Sequence, residues 1–250
     1  MFPLRDDNPT LALSVVVMAI IAANAAAWVL LQGMGQEPAL STSVCLYGLI
    51  PGEISGYVAE GTRVVLGPQA SCTVGRDGFG AITLLSSMFM HGSWFHLLGN
   101  LWFLWVFGNN VEDAMGHGRF AAFYLLTGLA AGAAQALPDV GSLIPMVGAS
   151  GAISGVMGAY LVLYPRVRVH TLVFLGFYLT TVALPAWVML VYWAVLQALG
   201  SVPALAGAEG GGVAFLAHLG GFAAGAALIL PFARRDYVEA HRRLRRHGRA

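Results

Sequence analysis

The run VHTLVFLGFYLTTVALPAWVMLVYWAVLQALGSVPALAGA, 40 residues from Val169 to Ala208, has no charged side chain, and its reading decides the fold. Taken as two membrane helices it brings the chain to seven spans; taken as one it gives six. Pro185 divides it and leaves 16 residues before the break, short of the roughly 20 needed to cross a hydrocarbon core. That first part, Val169–Ala183, is rich in β-branched and aromatic residues. It suits an interfacial hairpin or extended piece better than a span.

Charge decides between the counts. All thirteen basic residues are arginine, and seven of them, Arg234, Arg235, Arg242, Arg243, Arg245, Arg246 and Arg249, follow the last apolar run. Arginine collects on the inner side of a membrane, which puts this tail inside. With six spans the N-terminus is inside too. Arg5, Arg119, Arg166 and Arg168 then join the tail, and only Arg63 and Arg76 lie outside. Seven spans would send one end to the wrong side.

The other uncharged runs are Asn8–Gln36, Gly78–Val111, Phe120–Pro138, Val140–Pro165 and Gly210–Ala233. The chain is 58% hydrophobic and 10% charged, with mean hydropathy +0.72. Ordinary soluble domains carry about 25% charged residues, so a soluble fold is excluded. The expectation is an all-α membrane protein, a single polytopic domain over 1–250 with a basic cytoplasmic tail at 232–250. Its helices fall near 11–33, 93–113, 119–136, 150–164, 184–199 and 213–231. The first is too long for a signal-peptide core and lacks a basic lead, so it reads as a retained helix. The net charge of +1 hides a strong asymmetry. Beside a membrane helix a basic tail serves as a topology anchor that also attracts anionic lipid, rather than as a nucleic-acid site.

A long outer segment, Met34–Ser93, joins the first two helices. Pro38, Pro51 and Pro68 and several glycines make it a structured loop. A loop of this length in a compact protein usually has a function. Both cysteines, Cys45 and Cys72, sit there; on an oxidising face they are candidates for a disulfide, the alternative being two reduced thiols.

Polar side chains at membrane depth mark functional candidates. Gly148-Ala149-Ser150-Gly151 opens the fourth helix and Ala217-His218-Leu219-Gly220-Gly221 lies early in the sixth. Both helices enter from outside, so Ser150 and His218 share a depth near the outer face. Serine and histidine are one common nucleophile and base pair. Gly151, Gly155 and Gly158 on the fourth helix, and Gly221 and Gly225 on the sixth, are small enough for close helix approach. On the second helix His96 and Asn100, four residues apart, share a face, and His91 lies at its mouth. These side chains can donate to a developing oxyanion. A metal site is disfavoured, because His91 and His96 are poorly spaced for one helix face and no acid is near.

The order His91…His96-x-x-x-Asn100, Gly148-Ala149-Ser150-Gly151 and Ala217-His218-Leu219-Gly220 with Gly225 resembles the rhomboid intramembrane serine proteases, over about residues 40–231. Val111-Glu112 resembles an acidic position of that family at the cytoplasmic end of the second helix. The resemblance implies a six-helix rhomboid bundle, a Ser150–His218 dyad without a third acidic residue, and an oxyanion hole of the Ser150 N–H, His96 and Asn100, with His91 adjoining. Gly148 and Gly151 give the backbone room at the tight entry to the helix. The resemblance also implies single-span membrane proteins as substrates, the lipid bilayer as surroundings, and no cofactor, metal or nucleic-acid partner. Lateral entry would pass between the second and fifth helices, past Trp102, Trp105, Trp187 and Trp193. One departure is the stretch Asp77-Gly78-Phe79-Gly80-Ala81, where many rhomboids carry a Trp-Arg pair. Glu112 reads as a structural acid, capping a helix or pairing with Arg119, because it lies far from Ser150. Arginine without lysine and abundant alanine suggest a GC-rich bacterial genome; the expected location is a bacterial inner membrane, with both termini cytoplasmic and the site opening outward. The alternatives are a non-proteolytic relative that binds membrane clients, which would lose the dyad, and a transporter or channel. The latter would need polar residues through the whole bundle, and here they gather in the outer third.

Overall fold

The computed structural model describes residues 1–67, 70–75, 80–176, 178–205 and 213–247. A short strand β1 (Phe2–Asp6) leads into helix α1 (Val15–Leu30). The segment between α1 and the next long helix folds as α2 (Ala39–Tyr47), α3 (Pro51–Ile54), the hairpin β2 (Arg63–Gly67) and β3 (Ala70–Thr73), and the single turn α4 (Thr83–Ser86). Next come α5 (Trp94–Met115), α6 (His117–Ala136) and α7 (Ser150–Leu163). A second hairpin, β4 (Arg168–Leu175) and β5 (Tyr178–Pro185), precedes α8 (Ala186–Leu205), α9 (Phe215–Phe232) and α10 (Arg235–His247).

Helix α7 is the hub. Every residue from Gly151 to Tyr160 is buried, and α5, α6 and α9 surround it. A helix without a polar face is stable only inside a bundle or in lipid. At 14 residues, about 21 Å of rise, it starts below the surface of the bundle rather than at its edge. Three helical stretches, His117–Asp139, Ala186–Pro203 and Phe215–Phe232, are long and apolar enough to cross a membrane. Helices α1 and α7 are apolar but shorter. Helix α5 has the length, but Asn100, Asn109, Asn110, Glu112 and Asp113 lower its hydropathy.

The stretch read as a hairpin or extended piece is a hairpin. Arg168 pairs with Pro185 and the register runs to Leu175 with Tyr178, the turn opening on Gly176 at φ +64°. Strand β1 adds to it, antiparallel, from Phe2 with Leu172 to Asp6 with Val169. Trp102 Nε1 donates to Pro3 O at 2.6 Å and Phe2 stacks on Trp102 at 5.8 Å. His170 lies 2.9 Å from Asp7. In the outer segment Cys45 and Cys72 form a disulfide, with Cα atoms 5.3 Å apart, inside a small core with Val64 and Val74. Asp77, Gly78 and Phe79 lie outside the described residues.

The C-terminal end of α5 decides between the two readings of Glu112. Glu112 does not pair with Arg119. Its carboxylate accepts the N–H groups of Val16 at 3.0 Å and Val17 at 2.8 Å and meets His117 Nδ1 at 2.5 Å. It therefore caps α1, where free N–H groups and the helix dipole favour an anion. Arg119 instead donates to Phe232 O at 3.3 Å. Asp113 accepts Leu11 N–H and Ala12 N–H at 2.6 and 3.2 Å. These two bonds hold residues 11 and 12 outside the helix, so α1 starts at Val15 rather than 11. Within the expected basic tail, residues 235–247 form a helix. Helix α10 docks on α5 through buried Val238 and His241, with His241 Nε2 3.4 Å from Asp113 Oδ2.

Asp6, outside the long helices, accepts a hydrogen bond from the Tyr160 hydroxyl. Burial lifts its carboxyl from 3.8 to about 6, against the lowering effect of that hydroxyl. A folded value above the unfolded one makes the group's contribution to stability complete below pH 3.8 and lost as pH rises through about 6. Asp6→Asn keeps an oxygen for Tyr160 but has no charge to bury. The parent should lose stability relative to this variant across that window, as measured by unfolding in mixed micelles. Parallel pH curves for the two proteins would refute it.

Candidate active site

Ser150 is the first residue of α7, and the chain enters that helix through Gly148 at φ +129°. Gly148 N–H donates to Ser87 O at 2.9 Å, which fixes the entry. A side chain here is excluded twice over. The backbone region disfavours L-residues, and a Cβ would lie 2.7 Å from His96 Nε2. Ser150 is half-buried, and its N–H belongs to the unpaired first turn of α7, which favours negative charge.

His218 lies in the first turn of α9, with Nε2 2.8 Å from Ser150 Oγ. Its Nδ1 is 2.8 Å from Gln197 Oε1 on α8, and Trp193 flanks the ring at 5.9 Å between centroids. The helices that carry serine and histidine touch backbone to backbone. A Cβ on Gly221 would fall 2.0 Å from Gly151 O, and one on Gly225 1.9 Å from Gly155 O. Gly151 and Gly155 face α6 as well, where a Cβ would meet Ala131 and Thr127. Gln135 of α6 accepts Ala217 N–H at 3.1 Å and steadies the start of α9.

His96 and Asn100 both line the cleft beside Ser150. Gly92 N–H points to His96 Nδ1 at 3.4 Å, which assigns the ring proton to Nε2, the nitrogen facing Gly148. Asn100 is buried, and its Nδ2 donates to no group among the described residues. Two donors thus line the cleft that also holds Ser150. His91 is a different case. It is fully buried, its backbone is clamped by the Gln32 amide at 2.7 and 2.8 Å, and its ring packs edgewise on His96 at 5.0 Å. It does not line the cleft; it packs behind His96.

The cleft has a volume of about 1310 Å³ and runs from Ser93 and Phe95 on α5 to Trp193 and Leu205 on α8, with Ser150 and Met157 at its floor. Of the four tryptophans expected along an entry path, only Trp193 borders it. Trp102 is tied to β1, and Trp187 starts α8 beside Pro165, away from the dyad. Among the described residues no three of His, Cys, Asp and Glu are placed to hold a metal ion. Gln32, Gln135 and Gln197 were not anticipated. Gln32 and Gln197 carry the signal that singled out Ser150, a polar side chain in an uncharged run, and Gln135 sits in one too.

A family model described as "Rhomboid domain" matches residues 79–235, beginning well after the expected residue 40. RHOMBOID-like protein 5 of Arabidopsis thaliana is 36% identical over 78 residues, 31% of this chain and 25% of that protein. Rhomboid protein 1, mitochondrial, of Saccharomyces cerevisiae is 33% identical over 98 residues, 37% of this chain and 28% of that protein. Presenilin-associated rhomboid-like protein, mitochondrial, of Homo sapiens is 34% identical over 87 residues, 34% and 23% respectively. The matched part of the chain thus spans about a quarter of the length of these relatives.

Proposed function

The chain belongs to the rhomboid family, and from that premise we propose that it is an intramembrane serine endopeptidase cutting single-span membrane proteins within or beside their transmembrane helix. The observation that carries this reading is the 2.8 Å contact of Ser150 Oγ with His218 Nε2 in a cleft that also holds two free donors. His218 takes the serine proton as Oγ attacks the scissile carbonyl. The oxyanion that forms is held by His96 Nε2–H, Asn100 Nδ2–H and the Ser150 N–H. His218 then protonates the leaving amine, and water hydrolyses the acyl-enzyme by the same path in reverse roles.

The substrate enters sideways between α5 and α8, where Phe95, Phe103 and Trp193 line the cleft. A peptide bond within a helix is protected by its own hydrogen bonds, so cleavable segments contain glycine, proline or polar residues that weaken the helix. We assign six spans, α1 and α5 to α9, with Arg5 and the seven arginines after α9 on one face and the cleft opening to the other. The matched relatives are eukaryotic, and two of the three named above are called mitochondrial. They lend no support to a bacterial inner membrane, so the proposal is confined to a membrane whose inner face takes the arginines.

The test is purified protein in detergent with a fluorogenic single-span substrate and a fluorophosphonate. Turnover should occur, and the reagent should stop it while adding its mass to the peptide containing Ser150. Turnover that survives full labelling of Ser150, or modification elsewhere, would overturn the assignment.

A further inference from the structure

We propose that Gln197 is the positioning residue of the catalytic base, an uncharged third member that holds His218 in the one tautomer able to accept the serine proton. This rests on the protease reading above. Nε2 can take a proton from Ser150 only if its lone pair is free, and the ring's single proton then sits on Nδ1. A proton on Nδ1 away from water needs an acceptor. The Gln197 Oε1 lies 2.8 Å from Nδ1, on the side of the ring opposite Ser150. Were the amide turned to present its NH₂, Nδ1 would have to accept, the proton would move to Nε2, and the base would be lost.

The placement is over-determined. Trp193 and Gln197 are four residues apart, on one face of α8. The first packs against the ring of His218 at 5.9 Å, and the second binds its edge. Trp193 also packs on Phe222, one turn further along α9, at 5.8 Å. Rotation of the imidazole about its Cβ–Cγ bond is therefore resisted on its flank and at its edge. A carboxylate in this place would face a heavy desolvation cost at membrane depth. An amide supplies the acceptor without the charge. Its dipole also favours the imidazolium that forms as serine attacks, though less than a full negative charge would.

The experiment compares Gln197→Leu and Gln197→Glu with the parent in three readouts. These are kcat and KM on a fluorogenic single-span substrate, the rate at which a small fluorophosphonate labels Ser150, and the ¹⁵N imidazole spectrum of His218. In Gln197→Leu, kcat and the labelling rate should fall by about a hundredfold with KM within about twofold, short of the roughly 10⁴-fold lost when the acid of a Ser-His-Asp triad is neutralised. Gln197→Glu restores an acceptor at the desolvation cost of its charge, and should be faster than Gln197→Leu in both readouts though slower than the parent. The parent spectrum should show the proton on Nδ1 and Gln197→Leu should lose that signature. If Gln197→Leu keeps parental kcat and labelling rate, or if the parent carries its proton on Nε2, the inference is wrong. The spectrum reads the tautomer in unmutated protein, so it decides even if a variant fails to fold. Absence of turnover and labelling in the parent would instead sink the protease reading.

Discussion

Ser150→Ala should lower kcat for peptide hydrolysis by at least about 10⁴-fold, while folding and substrate affinity barely change. The hydroxyl makes one hydrogen bond within the site, to His218. The backbone carbonyl of Ser150 still accepts from Ser154 Oγ at 2.6 Å, and alanine is well tolerated in a helix. Truncation therefore removes the nucleophile and little else. Because the two residues act as a unit, Ser150→Ala combined with His218→Ala should be scarcely slower than either alone. Cleavage assays and binding of a labelled transmembrane peptide separate the effects. Residual hydrolysis within tenfold of the parent would exclude Ser150 as nucleophile.

Gly221→Val should damage the enzyme by another route. The missing side chain is where α7 and α9 touch, since a Cβ at Gly221 would lie 2.0 Å from Gly151 O and one at Gly158 2.1 Å from Phe222 O. Backbone cannot rotate aside as a side chain would, so the helices must part. Overpacking of this kind costs about 1–3 kcal/mol. A displacement of about 1 Å at the reacting atoms removes roughly a hundredfold in rate. Both losses should appear together, as a lower unfolding midpoint in detergent and a lower kcat. Gly118→Ala is the control, because nothing lies within 4 Å of its Cβ position, and it should leave both unchanged. A Gly221→Val protein with parental stability and turnover would mean that α7 and α9 are not in backbone contact.

The sequence was most legible where chemistry and environment disagree. Ser150, His218, His96 and Asn100 stand out because each is polar in an apolar run, and the structure brings all four to one cleft. The same signal marked Gln197 and Gln32, but an amide fits so many packing roles that its partner is decided only by the third dimension. Helix ends were less legible for a related reason. Gly116 at φ +81° lets α6 begin at His117, two residues before the expected start. Pro203 does not end α8, which continues to Leu205. Helix α10 was not legible: its arginines read as a basic topology anchor, and nothing local announces that Val238 and His241 are buried against another helix. Glu112 was read as an acid that caps a helix or pairs with Arg119; the first alternative holds, but that the capped helix is α1 is decided only by the third dimension.

The carboxylates of Glu112 and Asp113 have a consequence for the order in which the molecule is made. One pair of neighbouring side chains caps α1, holds the segment leading into it, and approaches His241 of α10. Helices α1 and α10, far apart in the chain, thus meet at two neighbouring residues that lie midway between them. Helix α1 can be secured once residue 113 has been inserted, but Asp113 meets His241 only after the chain has grown well over a hundred residues further.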